Sequence, residues 1–209
     1  MQSPSSSLVK YIICHSEIFV NFLFLEAAVQ FFVHPIRYTR AGGVYMSTYE
    51  ELQDQACADG IDVMDYNFNS PNIKGLYCNS TVAINKSIST QAEKSCVLAE
   101  ELGHHYTTVG DIIDQTKASN RKQEYRARLY GYNLKIGLIG IVHAYEAGCR
   151  SLYEMAEYLD ATEEYLKEAL DCYHSIHGVY ATLDNYIIFF EPTFTVMKAV
   201  SKIETKYPG

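Results

Sequence analysis

The chain has 209 residues, 48% of them hydrophobic and 20% charged, with a formal net charge of -8. That length and apolar content describe a soluble globular protein of one domain, with or without an appendage. An acidic balance of this size repels phosphate backbones and argues against nucleic acid as a direct partner. The six cysteines (Cys14, Cys57, Cys78, Cys96, Cys149 and Cys172) form no C-x-x-C pair and no metal-ribbon spacing. A chain with this much core needs no disulfides, so reduced thiols in a cytoplasmic protein are expected.

Residues 1–45 stand apart from the rest. Residues 17–33 read IFVNFLFLEAAVQFFVH, an apolar run broken by Asn21, Glu26 and Gln30. As a signal sequence it has only Lys10 before it and no clean small-x-small cleavage site after it. As a membrane span it falls short of about 20 apolar residues and carries Glu26 in mid-run, which is costly in lipid. The favoured reading is that residues 1–45 are an upstream over-read or hydrophobic extension. Met46 would then be the start of the domain proper at 46–209. Gly42-Gly43 just before it would be encoded by a purine-rich ribosome-binding stretch, and a helix cap follows at Ser47 or Thr48 with Glu50 or Glu51. A membrane anchor and an extra packed helix are the alternatives.

From residue 47 to 59 a helix is expected, with Tyr49, Leu52 and Ala56 on one face and Gly60 at its end. IDVMDY (61–66) alternates as a strand, and Pro71, Asn72 and Gly75 mark a turn. GLYC (75–78) and TVAINKSI (81–88) read as a hairpin joined by Asn79-Ser80. Ser89 or Thr90 caps a helix running to about 108, ended by Gly110. Helices follow at about 118–137 and 138–147, then at 151–159 and 162–177, joined at Asp160-Ala161. After Gly178 the stretches VYATL and NYIIFFEP are β-like. Strands first and helices after argue for an α+β fold, with a small antiparallel sheet or hairpin packed on the helix at 90–108 and a helical C-terminal half.

The chemistry concentrates in CVLAEELGHHY (96–106). On a helix Leu98, Leu102 and Tyr106 form a core stripe, while Glu100 and His104, one turn apart, share another face beside Glu101. Zincins use this geometry in H-E-x-x-H: two ligands one turn apart grip the metal, and the intervening Glu accepts a proton from water. Here the motif is E-E-L-G-H, with Glu100 where the first His would stand. A carboxylate binds zinc at about the same distance as an imidazole. It also adds negative charge, lowers the Lewis acidity of the cation and opens the site to manganese or another oxygen-preferring ion. A third ligand is expected at Glu124, with nineteen residues intervening after His104, on the next helix, the pattern of the gluzincin branch. Glu124 and Arg128 also have the i, i+4 spacing of an ordinary ion pair. Gly103 inside a helix costs about 1 kcal/mol relative to Ala, so a packing reason is expected, such as close approach to the strand edge or to the metal.

These segments resemble the ImmA/IrrE metallo-endopeptidases over roughly residues 47–180. The resemblance rests on AINKSI at the hairpin, CVLAEELGHHYT on the active helix and EYRARLYG on the third-ligand helix. It implies a zincin-like fold in which Glu101 is the general base and Glu100, His104 and Glu124 hold one zinc ion. It also implies that the E-E-L-G-H form is a sub-family habit, and that the substrate is a helix-turn-helix repressor of a phage or mobile element.

Other residues invite blander readings. Helices 151–159 and 162–177 have a helix-turn-helix outline, but Glu163, Glu164, Glu168 and Asp171 against Lys167 give the second an acidic face that DNA would repel. Packing or repressor docking is expected there. His105 is a substitute ligand, a transition-state donor or, more simply, a half-buried ring. His143 is expected to be an ordinary helix residue, and His174 and His177 to sit at a helix C-terminus where the dipole favours cations. The 18 tyrosines without tryptophan fit hydroxyl-bearing aromatics lining a cleft, or genomic bias. The resulting expectation is metal-assisted peptide hydrolysis, with substrate added as a strand to the edge of the hairpin. The rivals are a non-catalytic regulator that binds a repressor without cutting it, a membrane-anchored protein if 17–33 is genuine, and more remotely a DNA-binding module.

Overall fold

The computed structural model describes residues 48–108 and 118–199. The start at Met46, the run at 17–33 and Gly110 lie outside the described residues. In chain order the elements are α1 (Tyr49–Ala58), β1 (Asp62–Tyr66), β2 (Gly75–Cys78), β3 (Thr81–Asn85), α2 (Gln91–Thr107), α3 (Ala118–Lys135), α4 (Gly137–Glu146), α5 (Leu152–Tyr158), α6 (Glu163–His177), β4 (Tyr180–Leu183), β5 (Tyr186–Phe189) and β6 (Thr195–Lys198). The architecture is α+β. Among the described residues no helix is long and apolar enough to cross a membrane.

α1 begins in a capping box. Thr48 Oγ1 accepts from the Glu51 amide, and the Glu51 carboxylate accepts from the Thr48 amide. Its buried face is Tyr49, Leu52 and Ala56. Gly60, at φ 76, then turns the chain into β1.

The first sheet corrects one expectation. It is mixed rather than antiparallel, in the order β1-β3-β2, with β1 parallel to β3 and β2 antiparallel to β3. The 67–74 connection carries the chain past the position beside β1, so the hairpin docks through β3. Val82 and Ile84, both fully buried, put β3 at the centre. Asn79 and Ser80 join the hairpin at φ 48 and 56, the left-handed pair that a two-residue turn demands. β3 stops at Asn85 rather than running to Ile88. The buried Asn85 side chain donates to the Ile73 carbonyl at 2.6 Å and accepts from the Ser87 amide at 3.0 Å, bending the chain toward α2.

Thr90 caps α2 by accepting from the Glu93 amide. α2 lies between two apolar clusters. Val97, Leu98 and Leu102 belong to the one built with α1, β3 and Leu134. Cys96 faces the other, built from the end of α3, α4, α5, α6 and the second sheet. Ser95 Oγ reaches the Asp160 carbonyl at 3.1 Å, tying α2 to the turn between α5 and α6.

α3 and α4 part at Ile136, with Gly137 at φ 59. Ser151 and Glu154 form a capping box on α5, and Thr162 caps α6. α6 buries Tyr165, Leu166, Ala169, Leu170, Cys172 and Tyr173, while Glu164, Glu168 and Asp171 point outward. The helix-turn-helix outline is therefore a core pair with an acidic outer face. A second sheet, antiparallel and ordered β4-β5-β6, closes the described chain. β4 and β5 match the expected strands. β6 is new, because a four-residue segment with Val196 as its one buried residue leaves almost no periodic signal.

Candidate metal centre

The centre is set by how closely α2 and α3 approach. A Cβ built on Gly103 would lie 2.1 Å from the Ala127 carbonyl oxygen, and one on Gly131 would lie 2.9 Å from the Ala99 carbonyl oxygen. Small residues at 99 and 103 on α2 thus meet small residues at 127 and 131 on α3, and the two backbones touch. The packing reason expected for Gly103 is therefore the α3 backbone, not the strand edge or a metal. Glu124 stands one turn before Ala127, so this contact carries it across to the Glu100 and His104 face of α2.

The three expected ligands do converge. One donor atom from each of Glu100, His104 and Glu124 lies within 4.8 Å of the others. His104 is almost wholly buried, and its Nε2 stands 3.8 Å from Glu124 Oε2. On the other side of the ring, His104 Nδ1 pairs with the Thr108 hydroxyl at 3.3 Å. With the proton on Nδ1 donated to Thr108, Nε2 keeps its lone pair toward the carboxylates. Burial lowers the His104 pKa below 6.5, against the opposing pull of Glu124, so the ring is neutral and able to ligate at neutral pH.

Donor chemistry and spacing fit a divalent cation. Bonds of about 2.1 Å in a tetrahedral array put ligand atoms about 3.4 Å apart, so small side-chain rotations close the cluster. Glu124 divides its two oxygens. Oε1 accepts from Arg128 Nε at 2.9 Å, whereas Oε2 is buried, faces His104 and has no hydrogen-bond partner. A buried carboxylate oxygen left this way is what a cation would satisfy. Arg128 Nε also stands 3.7 Å from Glu100 Oε1. Burial pulls the Arg128 pKa down, but Glu100 and Glu124 outweigh it and hold the guanidinium firmly charged.

Glu101 is buried on the side of α2 that faces the first sheet. Its carboxylate rests against Gly75 at the start of β2: a Cβ there would meet Glu101 Oε1 at 2.9 Å and Val97 Cγ1 at 2.6 Å. One turn on, His105 Nδ1 pairs with the Tyr77 hydroxyl at 2.7 Å, again on β2. β2 is an outer strand of its sheet among the described residues. Glu101 thus lies on the helix turn that carries the ligands and against the strand edge.

The other described histidines lie elsewhere. His105 is half-buried against Tyr77 and Tyr106, matching the simplest reading. His143 is on α4, outside the cluster. His174 and His177 occupy the last turn of α6, where His174 pairs with Glu191 at 3.0 Å and both rings lie by Phe190. Among the described tyrosines, Tyr132, Tyr165 and Tyr173 lie in the core, and Tyr77, Tyr106 and Tyr130 form a ring cluster with His105 at the end of α2, where Tyr106 bonds Asp59. The five described cysteines form no disulfide.

Sequence reasoning passed over three supporting residues. Thr108 is four residues after His104, Arg128 was visible only as a partner of Glu124, and Gly75 read as a turn residue. The paired i, i+4 small residues, Ala99 with Gly103 and Ala127 with Gly131, were the signal that two helices meet here. No family model, curated protein or solved structure matches the chain.

Proposed function

We propose that the protein is a metal-dependent endopeptidase of the ImmA/IrrE type, zincin-like in fold, in which Glu100, His104 and Glu124 hold one zinc ion and Glu101 is the general base. The observation that carries this reading is the convergence of one imidazole and two carboxylates from α2 and α3 to within 4.8 Å. The resemblance of CVLAEELGHHYT and EYRARLYG to that family supplies the reaction and the substrate class, a helix-turn-helix repressor in the cytoplasm. Manganese is the alternative ion, because two of the three donors are oxygens.

When bound, the cation would polarise a scissile carbonyl and acidify a water. The protein's own groups do the rest. The outer edge of β2 hydrogen-bonds an extended substrate strand and holds it beside α2. Glu101, seated against Gly75, takes a proton from the attacking water and returns it to the leaving amine. The buried His104 ring, oriented by Thr108, holds its ligand atom in place.

Two outcomes follow. Gly75→Ala is expected to press on Glu101 and lower kcat/KM at least about 10-fold, as misplaced catalytic groups do, while bound zinc stays at one equivalent by atomic emission. Chelation of the metal is expected to lower the thermal midpoint. An ion present at about 100 times its Kd contributes about 2.7 kcal/mol, or roughly 5–10 °C in a domain of this size; calorimetry with and without EDTA measures it.

The second reading is a regulator that binds a repressor without cutting it, and Glu100 in place of the motif's first His favours it. Incubating the purified protein with zinc and a helix-turn-helix repressor separates the two. Fragments that vanish with EDTA support the peptidase, a complex without fragments supports the regulator, and neither product removes both.

A further inference from the structure

Arg128 stands one turn after Glu124 on α3 and reaches back over both acidic members of the cluster. Its Nε is 2.9 Å from Glu124 Oε1 and 3.7 Å from Glu100 Oε1. The guanidinium thus engages one oxygen of each carboxylate, and Glu124 Oε2 is left facing His104. Two carboxylates brought this close repel each other, and a motif with His at position 100 would not create that repulsion. Arginine suits the task, because its Nε–H bonds Glu124 while its delocalised charge lies beside Glu100, and it keeps that charge at any working pH.

We propose that Arg128 is a positioning residue that offsets the extra negative charge of Glu100 and turns Glu124 so that a single oxygen enters the metal centre. The inference rests on the reading of Glu100, His104 and Glu124 as ligands. It makes Arg128 a specific companion of the E-E-L-G-H form: a site with a neutral first ligand has no second carboxylate to balance.

The test is a double-mutant cycle on the full chain, read as zinc affinity by competition with a chromophoric chelator. Arg128→Met is expected to weaken zinc binding about 10- to 100-fold, the usual effect of losing a residue that orients a ligand. Arg128→Lys should recover part of that loss, because charge returns without the Nε–H bond. In a Glu100→His background, or in Glu100→Gln if the former folds poorly, Arg128→Met should cost several-fold less than in the unaltered chain, because only its hold on Glu124 is then lost. Equal losses in both backgrounds, an unchanged affinity in Arg128→Met, or tighter binding would each overturn the inference. Absence of zinc binding by the unaltered protein would instead overturn the metal reading beneath it, so the two failures are distinguishable.

Discussion

Glu101→Gln is expected to keep one zinc ion and to slow peptide hydrolysis about 10²- to 10⁴-fold, the usual contribution of a positioned general base. The amide matches the carboxylate in shape, so the contact with Gly75 survives and the fold is unchanged. Only the ability to accept a proton is removed. Glu101 is absent from the ligand cluster, so metal content should not move. Zinc stoichiometry and kcat/KM, measured on one preparation, test both halves. Loss of zinc would make Glu101 a ligand, and unchanged hydrolysis would remove it from the chemistry.

Gly103→Ala is expected to be the most disruptive small substitution in the centre. The new Cβ would sit 2.1 Å from the Ala127 carbonyl oxygen, a backbone atom that cannot rotate away. α3 must move by about 1 Å to admit it, and overpacking of this kind costs about 1–3 kcal/mol or more. Alanine's better helix propensity returns about 1 kcal/mol, so a net loss of up to about 2 kcal/mol is expected in urea unfolding. The same shift draws Glu124 away from His104 and Glu100, and zinc affinity should fall at least about 10-fold, as it does when a ligand's support is lost. A stable Gly103→Ala protein with unchanged zinc affinity would mean that the contact between α2 and α3 does not set the centre.

Much of this organisation was legible in the sequence because its signals are local. The i, i+4 spacing of Glu100 and His104 needs only a helix, and the caps at Thr48 and Thr90 mark where two helices begin. Glu124 was legible by its distance from the motif, and the structure brings it to the same point as the other two donors. What the sequence hid is tertiary. The parallel pairing of β1 with β3 depends on which edge of the hairpin docks, and neither strand's pattern encodes that choice. β6 is too short to show a period. Gly75 could not be read as a seat for Glu101, because that contact joins residues 26 positions apart in different elements. Gly103 showed that something approaches closely, but not that it is the α3 backbone.

The central claim is that one divalent cation is held between α2 and α3. Zinc retained after exhaustive dialysis tests it most directly, in the unaltered protein and in His104→Ala and Glu124→Gln. One equivalent in the first and far less in each variant is the predicted result. No retained zinc in any of them, or an equal amount in all three, would contradict it.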